Sequence, residues 1–321
     1  LTGANGYIGM RLLPELLEAG HEVVCAVRDA ARLSVDAETR KRIAIVEIDF
    51  LKEVQPGLLP NDLDAAYFLI HSMSTSTTNF DELEARTATT FNSYVAESGI
   101  KQVIYLSGIV NDANLSKHLR SRKNVEEILY QGDFSLTVLR AGIIVGSGSS
   151  SFEIIRDLCE KLPVMITPKW VLTKTQPIAI RDVMSFLTGV LGNQKTYNQS
   201  FDIAGPDILT YKEMLKQYAK ARGFKNWIIT VPIMTPKLSS YWLYFVTSTS
   251  YKLAVALVNS MKIEVVCRND EINQLLGVEP IGYKKALAKA FSKIQSNEIV
   301  SSWKDAYVSS DMKSHISDFI Q

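Results

Sequence analysis

Four nearly continuous apolar runs dominate the first half of this chain: "HEVVCAVRD" from residue 21, "IAIVEIDF" from 43, "AAYFLIHS" from 65 and "QVIYLSGI" from 102. A run that is apolar at every position, rather than at every second one, belongs to a strand covered on both faces. Helical segments such as residues 81–98 separate the runs. Strand and helix alternate at least four times, which predicts an α/β chain on a doubly wound parallel sheet.

The first unit opens with "LTGANGYIG", which sets Gly3, Gly6 and Gly9 at the spacing G-x-x-G-x-x-G between a strand end and a helix. The repeat expects a strand ahead of this turn, with Leu1 near its end, and the opening residues do not read as a signal peptide. The helix is predicted to begin near Gly6, because Ile8, Leu12 and Leu16 recur every four residues, and to stop at Gly20. Pro14 lies inside it and is expected to bend it, since its ring removes one backbone hydrogen bond.

In a dinucleotide site the first glycine permits a tight turn, the second lets a pyrophosphate approach the backbone, and the third lets the helix pack closely. Unpaired N–H groups and the positive end of the helix dipole then face the phosphates. Three close glycines also occur as turn punctuation. Their place at the head of a repeated strand–helix unit is what favours a cofactor.

The end of the following strand meets the adenosine ribose in such folds, where an acidic residue suits NAD and an arginine suits the extra phosphate of NADP. Here Arg28 comes first, and Asp29 has a competing task as cap of the helix "AARL". This favours NADP, with NAD as the alternative. Asp49 ends the next strand, either accepting from the adenine amino group or serving as a turn aspartate.

The totals exclude several classes. A length of 321 residues suits one large α/β domain or two lobes. A net charge of +1 gives no cationic face for nucleic acid. The three cysteines, Cys25, Cys159 and Cys267, are far apart and the four histidines have no paired spacing, so neither disulfides nor a metal site is expected, and the compartment reads as reducing and cytoplasmic. No apolar run reaches the length of a membrane span; the most apolar region, residues 241–267, reads as two amphipathic helices. Exposed helices offer a surface for a homo-oligomer.

After Arg140 the rhythm changes. "LRAGIIVGSGSSS" is a strand running into a Gly/Ser loop whose small residues are expected to let a ligand approach, and helices dominate beyond it. The expected division is a nucleotide-binding domain over residues 1–146 and a smaller, mostly helical substrate lobe over 147–321, with segments around 174–204 returning to the main lobe. The tail from residue 301 is polar.

The segments "TGANGYIG", "VRD", "DF", "YFLIHSM", "YLSGIV", "HLRSRKNVE", "LRAGIIVGSGSSSFE", "PIAIRDV" and "FDIAGPDILTYKEM" occur in an order and spacing that resemble the atypical, extended-type short-chain dehydrogenase/reductases, in their NmrA-like and nucleotide-sugar-epimerase-like branch. The likeness covers about residues 1–215. It implies a Rossmann-type fold and cofactor contacts from Gly3, Asn5, Gly6, Tyr7, Ile8 and Gly9, then Arg28, Asp49 and Phe50. It further implies that Ile70, His71 and Ser72 run beside the nicotinamide ribose.

Redox members of that family resemble one another in a Ser, a Tyr and a Lys, the last two spaced Y-x-x-x-K. A phenol there exchanges a proton with the substrate oxygen while an ammonium lowers its pKa and holds the ribose. Ser107 fits the serine, but the other two positions fall on His118 and Arg122. Their spacing still puts both on one helix face. Histidine titrates near neutrality and suits a general acid, while Arg122 is a fixed charge that suits ribose or phosphate. The alternative is that His118 is a polar residue of a half-exposed helix and "RSR" a solvated basic turn. His71 reads as a satisfied structural histidine more than a catalytic one, and Tyr105 as core.

The expected activity is therefore NADPH-dependent reduction of a carbonyl or quinone on a moderately hydrophobic small molecule. A protein that senses the cofactor or assists assembly without turnover, and a nucleotide-sugar epimerase or dehydratase, are the alternatives.

Overall fold

The computed structural model describes residues 1–52, 55, 57–71, 80–96, 98–110, 117–231, 255 and 258–295. In chain order its elements are α1 (Gly9–Glu18), β1 (Val23–Val27), α2 (Ala37–Lys41), β2 (Ile43–Glu47), β3 (Ala65–Phe68), α3 (Phe80–Ala96), β4 (Gln102–Gly108), α4 (Lys117–Leu129) and β5 (Ser135–Ala141). There follow β6 (Ile144–Val145), α5 (Ser150–Lys161), β7 (Val164–Thr167), β8 (Lys174–Thr175), β9 (Ile178–Ala179), α6 (Ile180–Gly189), β10 (Gln199–Ile203), β11 (Leu209–Thr210), α7 (Tyr211–Arg222), β12 (Trp227–Thr230), α8 (Glu271–Leu276) and α9 (Tyr283–Gln295). Most of the apolar stretch 241–258 and all of the tail from residue 301 lie outside the described residues.

Residues 1–2 join two groups of parallel strands. β1 pairs with β2 on one side, and β3, β4, β5 and β10 pair in that order on the other. Thr2 bridges Ala26 of β1 in parallel, while its amide and its hydroxyl both donate to the Tyr67 carbonyl of β3, at 3.1 and 2.9 Å. The chain thus leaves residues 1–2 towards β1 and returns on their other side at β3. Ligands of such sheets bind outside the carboxyl ends of the strands at that reversal.

β4 shows why its run is apolar throughout. Val103 and Tyr105 enter one core with Ala88 and Phe91 of α3 and Val125 and Leu129 of α4. Ile104 and Leu106 enter another with Leu12 and Leu16 of α1 and Val183 and Phe186 of α6. Helices cover both faces, so neither set of alternate positions meets water. The run "IAIVEIDF" departs from this expectation: β2 is only half-buried, with Ala44 and Glu47 exposed, because it sits at the sheet edge with one partner strand.

α1 begins at Gly9 rather than near Gly6, since residues 3–8 are used by turns in which the Gly6 amide donates back to the Gly3 carbonyl at 2.9 Å. It continues through Pro14, which lies on the exposed face where water can take the carbonyl left without a donor.

Beyond β5 a third cluster of buried side chains gathers Phe152 and Leu158 of α5, Met165 of β7, Tyr218 of α7 and Leu287 of α9. Asp182 at the start of α6 is fully buried and accepts from the Ile281 amide at 2.8 Å and from the Arg181 guanidinium at 2.6 Å. That carboxylate fixes the approach of the chain to α9. Among the described residues no helix is long and apolar enough to cross a membrane.

Candidate active site

The glycine turn occupies the reversal point, and its three glycines meet different surroundings. Gly3 has a φ of +64°, and a Cβ there would lie 2.7 Å from the Leu69 carbonyl oxygen at the end of β3. A Cβ on Gly9 would lie 2.4 Å from the Gly3 oxygen and 2.7 Å from Ala4 Cα, so the start of α1 packs directly on the turn. Among the described residues, a Cβ on Gly6 would meet only the Gly3 oxygen, at 3.1 Å. The amides of Ile8 and Gly9 find no acceptor among the described residues. One open glycine flanked by spare N–H groups at a helix start is a cradle for anionic oxygens. Asn5 is half-buried beside it.

The side chain of Tyr7 turns to the protein instead. The Arg11 guanidinium lies 4.6 Å from its ring centroid and donates to the Ser147 carbonyl at 2.7 Å. A Cβ at Gly146 would fall 2.7 Å from the Tyr7 hydroxyl oxygen and 2.5 Å from Ile180 Cγ2. The expectation that the Gly/Ser loop clears space for a ligand is therefore corrected at Gly146, whose missing side chain makes room for Tyr7 and Ile180. Burial pushes the Tyr7 phenol up to about 12.

At the strand ends, Arg28 is exposed and makes no ion pair or hydrogen bond among the described residues. Asp29 caps a single 3-10 turn at residues 30–32, its carboxylate accepting from the Ala31 amide at 2.9 Å, while Glu47 accepts from the Ala30 amide at 2.7 Å. Asp49 is half-buried and accepts from the Leu51 amide at 3.1 Å, the geometry of a turn aspartate. The Phe50 ring is buried against Phe91 and Tyr94 at centroid distances of 5.6 and 6.5 Å, so only its main chain faces outward from that core. Ile70 packs on the same cluster.

Beyond the end of β3, polar side chains from four elements converge. His71 Nδ1 lies 2.5 Å from Glu84 Oε1 of α3, and the Ser121 hydroxyl of α4 donates to Glu84 Oε2 at 2.5 Å. Arg122 of α4 donates to the Leu106 carbonyl of β4 at 3.0 Å, and the Tyr105 hydroxyl donates to the Arg122 carbonyl at 3.4 Å. Ser107 Oγ is buried beside the Tyr105 hydroxyl without a hydrogen bond of ordinary geometry among the described residues. Burial raises the Glu84 carboxyl, yet its neighbours His71, Arg122 and Ser121 outweigh burial and hold it well below the usual carboxylate range. Burial, aided by the Arg122 charge, lowers the His71 imidazole, against the pull of Glu84. Ser72 and the side chains of Lys117 and His118 lie outside the described residues.

The sequence profile of the NAD(P)H-binding family matches residues 3–160, from the glycine turn through α5. Residues 3–160 are an NAD(P)H-binding domain. A photosystem II assembly factor of Guillardia theta is 23% identical over 302 residues, covering 87% of this chain and 88% of that protein. Among solved structures, the triphenylmethane reductase of Citrobacter sp. complexed with NADP(H) superposes with a TM-score of 0.70 at 14% identity, covering 90% of this chain and 98% of that one. The UDP-glucuronic acid 4-epimerase of Bacillus cereus, in complex with UDP-glucuronic acid and NAD, gives 0.68 at 14% identity, covering 92% and 98%. The likeness to these structures shows the Rossmann-type fold.

The residues of the NAD(P)H-binding domain fit a dinucleotide by the open face of Gly6 and the spare amides of Ile8 and Gly9. Sequence reasoning missed Glu84 and Ser121. The signal for Glu84 was available: it shares a helix face with Thr87, Ala88 and Phe91, all buried, and a carboxylate on such a face requires partners. Nothing in the sequence pointed to His71 as its partner. Among the described residues no group of three or more His, Cys, Asp or Glu is placed to hold a metal ion, and Cys25, Cys159 and Cys267 are free thiols.

Proposed function

We propose that the chain binds NADP(H) and reduces a carbonyl or quinone on a moderately apolar small molecule. The observation that carries this reading is the glycine turn at the sheet reversal, which among the described residues is uncrowded at Gly6. Arg28, exposed just past β1 and without a partner among the described residues, supports the 2′-phosphate form over NAD. The bound dinucleotide would supply hydride. Gly3, Gly6, Gly9, Asn5, Tyr7 and Ile8 would hold its phosphates through the main chain, Asp49 and Phe50 would border the adenine, and Ile70, His71 and Ser72 the far ribose. Ser107, buried beside the Tyr105 hydroxyl with no hydrogen bond of ordinary geometry among the described residues, would polarise the substrate oxygen, and Arg122 would supply a fixed charge beside it. The sequence offers His118 as proton donor.

In this reading residues 1–146 are the nucleotide lobe and 147–321 the substrate lobe, with 174–204 belonging to the first; β10, which pairs with β5, supports that return. The free cysteines suit a reducing compartment such as the cytoplasm.

The likeness to an assembly factor, together with His118 and Arg122 in place of Tyr and Lys, favours as second reading a protein that binds the cofactor without turnover. Calorimetric titration with NADPH and NADH, followed by cofactor absorbance over a panel of aldehydes and quinones, tests both. Tighter NADPH binding with steady oxidation is expected. Binding without oxidation gives the second reading, and no heat with either coenzyme overturns both.

A further inference from the structure

We propose that the outward apolar face of β7 and β12, with the lysines beside it, docks the protein on an anionic lipid surface.

β7 and β12 form a two-stranded parallel sheet in which Trp227 stands opposite Val164 and Ile229 opposite Ile166. Side chains alternate between the faces of a strand, so these four share one face. Between them, Met165 and Thr167 are fully buried, and Met165 and Ile228 pack in the cluster that holds Phe152 of α5 and Tyr218 of α7. The inner face thus serves the fold. The outer four do not: Val164 is 51% exposed, Ile166 and Ile229 are 50% exposed and Trp227 is 72% exposed. Polar residues would cost the fold little at such positions, and a contiguous apolar face in their place points to a partner surface.

The lysines give the charge of that partner. From residue 214 to residue 263 the sequence carries seven Lys and Arg and no Asp or Glu, against a net charge of +1 for the whole chain. Within this stretch Lys216 and Lys220 of α7 and Lys225 of the loop that follows line one cleft with Phe224, Asn226 and Ile228. None of the three lysines is in an ion pair among the described residues. Lys212 reaches the other end of β12, where its ammonium donates to Thr230 Oγ1 at 3.3 Å. Cations therefore accompany β12 at both ends.

An apolar face that carries a tryptophan and is bordered by lysines matches the interface of a bilayer, where ammonium groups meet headgroup phosphates and an indole lies at the headgroup level. A nucleic acid would engage the lysines and leave the four apolar side chains in water. A second copy seated face to face would set lysine against lysine. The contact is peripheral, and it stands apart from the reductase reading.

The test uses the full chain in co-sedimentation with vesicles of phosphatidylcholine alone or with about 30 mol% phosphatidylglycerol. Wild type is compared with Trp227→Ser, Ile166→Ser, the double variant Lys216→Glu with Lys220→Glu, and the control Lys101→Glu, an exposed lysine of the nucleotide-binding domain. Wild type is expected to partition about tenfold or more in favour of the anionic vesicles, and to lose that preference between about 0.1 M and about 1 M salt. Each serine variant should lower anionic partition by about fivefold or more and the double lysine variant by about tenfold or more, with Lys101→Glu within about twofold of wild type. Thermal midpoints of the serine variants should stay near wild type, because both side chains point out of the sheet. Tryptophan emission of wild type should shift to the blue on anionic vesicles, and less so in Trp227→Ser. Wild-type partition in both serine variants places any lipid contact elsewhere and overturns the proposal, as does equal partition onto neutral and anionic vesicles, or none onto either. A dimer in sedimentation equilibrium that Trp227→Ser dissolves, without vesicle binding, gives the face to a second copy and overturns it too. None of these outcomes bears on NADPH oxidation, so the reductase reading is judged separately.

Discussion

The missing side chain of Gly3 leaves its Cβ position 2.7 Å from the carbonyl oxygen of Leu69, so the first turn of the chain and the end of β3 meet main chain to main chain. The contact lies where the strand order reverses, and it brings the glycine turn beside the segment that carries His71.

The three glycines should respond differently to alanine. Gly3→Ala combines a positive φ with a backbone clash, and Gly9→Ala drives a methyl into the Gly3 carbonyl. Each is expected to cost about 2–4 kcal/mol, read as a lower urea midpoint. Gly6→Ala meets only one oxygen at 3.1 Å and should cost under about 1 kcal/mol, yet its methyl fills the open face, so NADPH affinity should fall about tenfold or more. Equal loss of stability at all three would remove the distinction between packing and binding glycines.

Arg28→Asp should weaken NADPH by about 1.5–3 kcal/mol, roughly 10- to 150-fold, because a charge-assisted phosphate contact is replaced by repulsion. NADH affinity should change by no more than about twofold. Parallel titrations decide it, and an unchanged NADPH preference would move the specificity elsewhere.

Acid stability should carry the mark of Glu84. Its folded carboxyl lies below its unfolded value, so the stabilisation is present above about pH 4.5 and is lost as pH falls through the folded value. His71 acts in the same sense at higher pH: its folded imidazole lies below the ordinary 6.5, so acidification from there favours the unfolded state. Thermal midpoints should decline from about pH 6.5 downward, and Glu84→Gln should show a flatter decline below about pH 4.5. An identical acid limb in the variant would show that the Glu84 carboxyl titrates alike in the folded and unfolded states.

Asp182→Ala should cost about 2–4 kcal/mol in chemical unfolding, because it strands the Ile281 amide and removes the partner of Arg181. Hydrogen exchange should show the Ile281 amide losing protection. If protection there is unaffected, the carboxylate is not what secures the approach to α9.

Residues within a few positions of one another already set the alternation of strand and helix, the turn at Gly3, Gly6 and Gly9, and the cap at Asp29, so these were legible in the chain before it folded. Apolar runs report local burial, and glycine and aspartate report local backbone geometry. Tertiary structure decided what no local pattern carries. Phe50 points into an aromatic core, Gly146 makes room for Tyr7, and β2 is half-exposed at the edge. His71 and Glu84 become partners although they belong to different elements, as do Glu84 and Ser121. Such meetings follow from the order of strands across the sheet and the packing of α3 on α4. A buried charge must find its counterpart wherever the fold brings one, and sequence spacing does not encode that distance.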